Sequence, residues 1–187
     1  MKKKLLLLAL LGISRLTNAQ EAKVEKSVFG IQTGFLGIWA HNESRLSDRI
    51  ALRSEVGFDS GIWGGDFYDK TGFLLTPVLS VEPRFYYNLQ KRADKGRNIS
   101  GNAGNYLSIR ASFHPDWFVI SNYDDVSIIS DISIIPTWGI RRNIGKHFNY
   151  EAGLGLGYRY IFAERAGFLE NESSLAANFA LRIGYRF

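Results

Sequence analysis

Tyr150-Glu-Ala-Gly-Leu-Gly-Leu-Gly-Tyr-Arg-Tyr-Ile-Phe162 splits cleanly when read two residues at a time. Ala152, Leu154, Leu156, Tyr158, Tyr160 and Phe162 fall on one face. Glu151, Gly153, Gly155, Gly157 and Arg159 fall on the other. Period two is the repeat of a β-strand, whose successive side chains point to opposite faces. One face of this strand is apolar. The other is charged or bare.

The same alternation recurs along the chain. Phe29, Ile31, Phe35 and Trp39 share a face in VFGIQTGFLGIW. Ile50, Leu52, Val56 and Phe58 oppose Arg53, Glu55 and Asp59. Leu79, Val81, Phe85 and Tyr87 oppose Ser80, Glu82, Arg84 and Tyr86. Leu107, Ile109 and Phe113 oppose Ser108, Arg110 and Ser112. Ile132, Ile134, Trp138 and Ile140 oppose Ser133, Thr137 and Arg141. The last segment sets Phe179, Leu181, Ile183, Tyr185 and Phe187 against Asn178, Arg182, Gly184 and Arg186. With the opening stretch these make seven segments, most near the ~9–11 residues of a tilted membrane-crossing strand. Pro77, Pro83 and Pro136 fall on the apolar face and predict bulges or bends.

The chain opens MKKKLLLLALLGISRLTNAQ. Three lysines, a short apolar run and Thr17-Asn18-Ala19 predict a secretory signal peptide over 1–19, cut after Ala19. A short segment, 20–26, and one all-β domain, 27–187, would follow. The 23 Lys+Arg against 18 Asp+Glu include Lys2, Lys3, Lys4 and Arg15 of that signal, so the remaining chain is close to neutral. This removes the main support for a nucleic-acid partner. There is no cysteine, which excludes disulfides, a thiolate metal site and a lipid-modified cysteine.

Two architectures fit the alternation. In a soluble sandwich or lipocalin-like barrel the apolar face points inward. In an outer-membrane barrel it points to lipid, and the polar face lines the lumen. The polar face carries Arg53, Glu55, Glu82, Arg84, Arg110, Glu151, Arg159 and Arg182. Gly153, Gly155 and Gly157 would leave room there for an opposing arginine. Trp39, Tyr87, Trp138, Tyr158, Tyr160 and Tyr185 would supply interfacial aromatic girdles.

The C-terminal pattern, with Leu181, Ile183, Tyr185 and a terminal Phe187, resembles the assembly signal of Gram-negative outer-membrane proteins. Together with the signal peptide and the alternating strands, it resembles the small outer-membrane β-barrel family with OmpX- and OmpA-type barrels. The resemblance implies an antiparallel up-and-down transmembrane β-barrel over 27–187 in the bacterial outer membrane. It implies contact with outer-membrane lipid and lipopolysaccharide, and recognition of the four C-terminal residues by the barrel-assembly machinery. It is nearly silent on activity. The chain is expected to be monomeric and without cofactor or metal.

Such barrels have even strand numbers. Seven segments imply a hidden eighth, either within WFVISNYDDVSIIS or by splitting 27–39, with ten strands as the alternative. Alternate connections differ in charge. Those near 61–72, 114–126 and 164–173 are acidic; those near 40–47, 89–104 and 142–148 are basic. Phe187 falls at the basic end, which the family's usual orientation would make periplasmic.

Three functions compete. Lumen charges in a low dielectric must pair, so the plainest expectation is an Arg/Glu plug in a barrel with a structural or surface-interaction role. The runner-up is a narrow porin-like pore for small solutes or anions, because arginines outnumber glutamates there. A lipid-modifying enzyme comes third, with Ser112, His114 and Asp116 as nucleophile, base and orienter. No G-x-S-x-G elbow supports it, and the expectation is no catalytic residue. His41, His114 and His147 lack the spacing of a zinc site. KGRNISGNAGN lacks a phosphate-loop ending and reads as a connector. Lys91, Arg92, Lys95 and Arg97 read as a solvated basic face, able to meet lipopolysaccharide phosphates if that end were outward. Trp63, Phe67 and Tyr68 are candidate loop contacts for a partner, or interfacial anchors.

Overall fold

The computed structural model describes residues 22–66 and 69–187. The signal-peptide reading of 1–19, and Phe67 and Tyr68, lie outside these residues. Nine antiparallel strands form one sheet. In chain order they are β1 (Ser27–Gly34), β2 (Gly37–Arg45), β3 (Ile50–Trp63), β4 (Gly72–Tyr86), β5 (Asn105–His114), β6 (Ile120–Ser121), β7 (Asp131–Ile144), β8 (Phe148–Ile161) and β9 (Glu172–Arg186). Each pairs with the next around the ring, β5 passing directly to β7. β1 pairs with β9, Gly30 opposite Arg186, so eight strands close into a ring.

The eighth ring strand comes from splitting 27–39. Phe35 and Leu36 turn between Gly34 and Gly37, which face each other in the register. Gly37 sits at φ +144°, a conformation that strains any residue with a Cβ. The turn also resets the parity. Gln32 points inward on β1 and Trp39 points inward on β2. Trp39 is therefore a correction: it is 3% exposed and lies inside the ring, not in an outer girdle. The other candidate segment supplies only β6. This two-residue strand pairs with Leu74 and Leu75 of β4, beyond the end of the shorter β5. It covers hydrogen-bonding edge that β5 leaves bare.

The prolines cause no bulge. On the β5 side of β4, paired residues skip Pro83 between Val81↔Ala111 and Arg84↔Ser108 without a change of register. The β7–β8 ladder likewise skips Pro136 between Ile134↔Tyr158 and Thr137↔Gly155. Pro77 lies past the Leu79↔Phe113 pair, between β5 and β6. A residue without an N–H sits where a ladder bond is missing.

The glycines of β8 also do something other than expected. A Cβ on Gly155 would stand against the Pro136 carbonyl oxygen, and one on Gly157 against the Ile134 carbonyl and the Ile135 Cα. They make room for the backbone of β7, not for an arginine across the ring.

Two ends can be distinguished. At end A lie the 35–36 turn and the connections 64–71, 115–130 and 162–171. Their described charges are Asp66, Asp69, Asp116, Asp124, Asp125, Glu164 and Glu170 against Lys70 and Arg165. End B holds 46–49, 87–104, 145–147 and the 22–26 segment, and is basic. The splitting turn lies upstream of these connections, so the charge asymmetry is unchanged by the eighth strand.

End B is sealed. A short helix, α1 (Leu89–Asp94), and a 3₁₀ turn (Ser100–Asn102) fold across it. Val24, Ala51, Tyr86, Leu89 and Tyr106 form the buried apolar cluster there. The 22–26 segment is laced down by Glu25 N–H donating to Asn102 Oδ1 (2.7 Å) and Gly101 N–H donating to Glu25 Oε1 (2.6 Å). On α1, burial lowers the Arg92 guanidinium from its ordinary value, and the nearby Arg142 and Arg97 charges add to it. Positive charge is thus concentrated at this end.

Large apolar side chains are exposed on every ring strand, from Phe29 and Ile31 on β1 to Leu181 and Ile183 on β9. The inner face is the polar one. Leu156 is 70% exposed on β8, whereas Glu151 on the opposite face of the same strand is 0% exposed.

Candidate functional site

The interior holds a continuous network of guanidiniums and carboxylates. Each side chain arrives there by strand parity alone. Arg53 and Glu55 project from β3, Glu82 and Arg84 from β4, Arg110 from β5, Glu151 from β8 and Arg182 from β9. All seven are buried and within one network. Nearest end B, Glu43 accepts from Arg141 Nη1 (2.5 Å), Tyr86 Oη (2.7 Å) and Asn102 Nδ2 (3.1 Å). Glu151 follows, accepting from Arg84 (2.7 Å), Arg141 Nε (3.0 Å) and Tyr106 Oη (2.9 Å). Arg84 reaches on to Glu82 at 2.8 Å and stacks over the Tyr106 ring, 4.2 Å from its centroid. Glu55 collects Arg53 (2.6 Å), Arg182 (2.7 Å) and Arg110. Ser80 and Ser108 donate to Glu55 (3.1 Å) and Glu82 (2.6 Å). Arg182 also lies over the Trp39 ring, 3.8 Å from the centroid.

Arg159 stands apart from this cluster. It pairs with Asp131 near end A, and its side chain is 43% exposed. Asp131 also meets His114 Nδ1 at 3.1 Å, and His114 Nε2 meets Asp59 at 3.0 Å. Trp39 Nε1–H donates to the other oxygen of Asp59 at 2.6 Å.

Alternation along the sequence sets Arg141 and Asp59 on the polar face, though not among the charges expected to pair there; Glu43, Gln32, His41 and Asp131 are interior residues that it does not reveal. Glu43 was assigned to a connection because β2 went unrecognised.

The Ser112, His114, Asp116 arrangement does not assemble. Asp116 is exposed, and the carboxylates beside His114 are Asp59 and Asp131. Both ring nitrogens face acceptor-only groups, so both carry protons. An imidazolium so held has no lone pair to activate Ser112. Ser112 Oγ instead accepts from Arg110 Nε at 3.1 Å. Among the described residues no group of His, Asp and Glu could hold a metal ion.

A cavity of about 380 Å³ opens above the network toward end A. Arg110, Ser112 and Ser133 line its floor side, with His114, Asp59, Asp131 and Arg159 around it. The interior is thus a blind vestibule, plugged by charge in the middle and closed by apolar packing and the 87–104 connection at end B.

Leu181, Ile183, Tyr185 and Phe187 all point outward from β9 and its terminus. Tyr185 packs edge-on against Phe148 and Phe187, 5.4 Å between centroids in each pair. Trp63 packs against Tyr123 of the 115–130 connection, 5.7 Å between ring centroids. The chain matches no family model, no curated protein and no solved structure.

Proposed function

We propose that this chain is an integral outer-membrane β-barrel, of the small kind that its C-terminal pattern resembles, with a structural or surface-interaction role. The observation that carries the reading is the inverted distribution of polarity. Exposed apolar side chains encircle the ring, while five arginines and four glutamates are buried in the middle of it. Soluble monomers rarely expose contiguous apolar patches beyond a few hundred Å². In lipid the same belt is solvated by acyl chains, and the ring is closed by the pairing of Gly30–Gly34 with Arg182–Arg186. Aromatic pairs near both rims, Tyr160–Phe162 and Phe148–Tyr185, fit interfacial girdles.

The acidic end would face outward and the sealed basic end the periplasm, the usual orientation of the family resembled. The outward connections expose Trp117, Phe118, Phe168 and Leu169, which supports a surface-interaction role. The plug and the sealed end support a non-conducting lumen over a pore.

The test has two readouts. Refolded protein should co-float with vesicles and show heat-modifiable gel mobility. A chain that stays folded in detergent-free buffer and does not float would defeat the membrane assignment. In planar bilayers the folded protein should be silent. Steady openings that change in Arg110→Ala would replace the plug with a pathway.

A further inference from the structure

The interior arginines find carboxylates, but three arginines at end B do not. Arg92 of α1, Arg97 of the 87–104 connection and Arg142 of β7 make no ion pair among the described residues. They stand close enough for the Arg97 and Arg142 charges to act on Arg92. Asp94, the only carboxylate of that connection, accepts from Gln90 Nε2 at 2.8 Å instead. Arg92 is anchored through Nη2, which donates to the Asn98 carbonyl at 3.1 Å. Arg142 is anchored through both Nη atoms, which donate to the Arg141 carbonyl (2.7 Å) and Asn105 Oδ1 (2.5 Å). Arg92 Nη1 and Arg142 Nε are left unbonded and are not buried, beside the exposed Arg97. Like charges held together repel, and an anion between them removes that cost.

The patch belongs to the outer wall of the ring. Arg141 points inward, so Arg142 projects outward by strand parity, opposite Tyr150 of β8. Tyr87, Trp138 and Tyr150 are exposed on the same rim. Trp138 Nε1–H and Asn105 Nδ2–H both donate to Tyr87 Oη, at 2.9 and 3.2 Å. Hydrogen bonds thus run from Arg142 through Asn105 and Tyr87 to Trp138, fixing the guanidinium beside the aromatics. One step further from the rim, Trp138 is flanked by its exposed ladder partners Leu107 and Leu154. Unpaired guanidiniums at a strand end, with aromatics beside them and leucines beyond, suit a ligand with an anionic head and an apolar tail. We propose that Arg92, Arg97 and Arg142 bind the phosphate of one anionic phospholipid from the leaflet that end B meets, with its acyl chains along Leu107, Trp138 and Leu154. Such a site exists only if the ring stands in lipid, as proposed above.

The experiment is native mass spectrometry of the refolded protein, released from micelles doped with equal amounts of dioleoyl-phosphatidylglycerol and dioleoyl-phosphatidylcholine. Folding is verified in each sample by gel mobility. One phosphatidylglycerol should stay on each chain, favoured over phosphatidylcholine by at least about tenfold. Arg142→Gln should lower that preference about fivefold. Arg97→Gln, on an exposed side chain that no hydrogen bond holds, leaves the fold intact and should lower it severalfold. Lys70→Gln, an equal loss of charge at end A, should not change it. No preference in folded wild type, or an unchanged preference in both arginine variants, would overturn the proposal. So would an equal loss in Lys70→Gln, which would make the attraction one of net charge alone. Displacement of the lipid by millimolar inorganic phosphate would also overturn it, since the site would then take a free anion. A protein that floats with phosphatidylcholine vesicles but retains no phosphatidylglycerol loses this site and keeps the membrane assignment; one that does not float loses both.

Discussion

At the scale of single residues, the interior is a case where breaking a pair costs much more than the pair contributes. Arg84, Arg141 and Tyr106 donate to Glu151, and Arg53 Nη1 lies 3.7 Å away. Replacing such an ion network wholesale by well-fitting apolar groups is often neutral, but removing one partner strands the others in a low dielectric. Glu151→Gln should therefore lose about 3–5 kcal/mol in urea unfolding followed by tryptophan fluorescence. Tyr106→Phe removes only one donor to a carboxylate and should lose about 1.5–3 kcal/mol. A Glu151→Gln protein as stable as wild type would mean that water reaches the network. Most of these residues were legible in the sequence, because charges at every second position of an otherwise apolar strand have few explanations. What could not be read was who pairs with whom. Glu55 draws its three arginines from β3, β5 and β9, and only ring closure brings β9 to β3's side.

At the scale of the strand, parity is reliable within an element and fails across a tight turn. VFGIQTGFLGIW keeps an apparent alternation from Phe29 to Trp39, yet it bends back between Gly34 and Gly37. The sequence shows one long strand there because Phe35 and Leu36 are apolar, whereas the other connections announce themselves with Asp, Asn and Gly. That one missed turn hid β2, turned Trp39 to the wrong face and lost Glu43. The three glycines of β8 were legible as an anomaly, but not its cause, since close approach to β7 depends on curvature that period two does not encode. The cause can be tested. Gly155→Val must push into the Pro136 carbonyl and should destabilise by about 1–3 kcal/mol. Leu156→Val, one residue along and pointing outward, should be close to neutral in the same denaturation series. Equal effects would place the crowding elsewhere.

At the scale of the whole molecule, the outer face and the C-terminus make a different kind of claim. Phe187 is 73% exposed and its N–H donates to the Phe29 carbonyl at 3.2 Å. It contributes little to the folded ring. Deleting it should leave the unfolding midpoint of refolded protein nearly unchanged while lowering the amount inserted in the envelope of a Gram-negative host, measured by membrane fractionation. Full insertion without Phe187 would remove the assembly role that the terminal pattern implies.

The seam between β1 and β9 also governs time. Every other ladder of the ring joins strands that lie close along the chain, and can form as a hairpin or a short excursion. The seam joins the first strand to the last, so its loop-closure entropy is the largest in the fold. Until the last strand arrives, β1 presents an open hydrogen-bonding edge and Glu55 lacks the guanidinium of Arg182. High sequence separation makes for slow folding, and an unclosed sheet with an apolar outer face is the species most prone to stick to its own copies. The chain therefore passes from its most aggregation-prone state to its most protected one in a single step, and the lifetime of that open form sets how much protein survives to close.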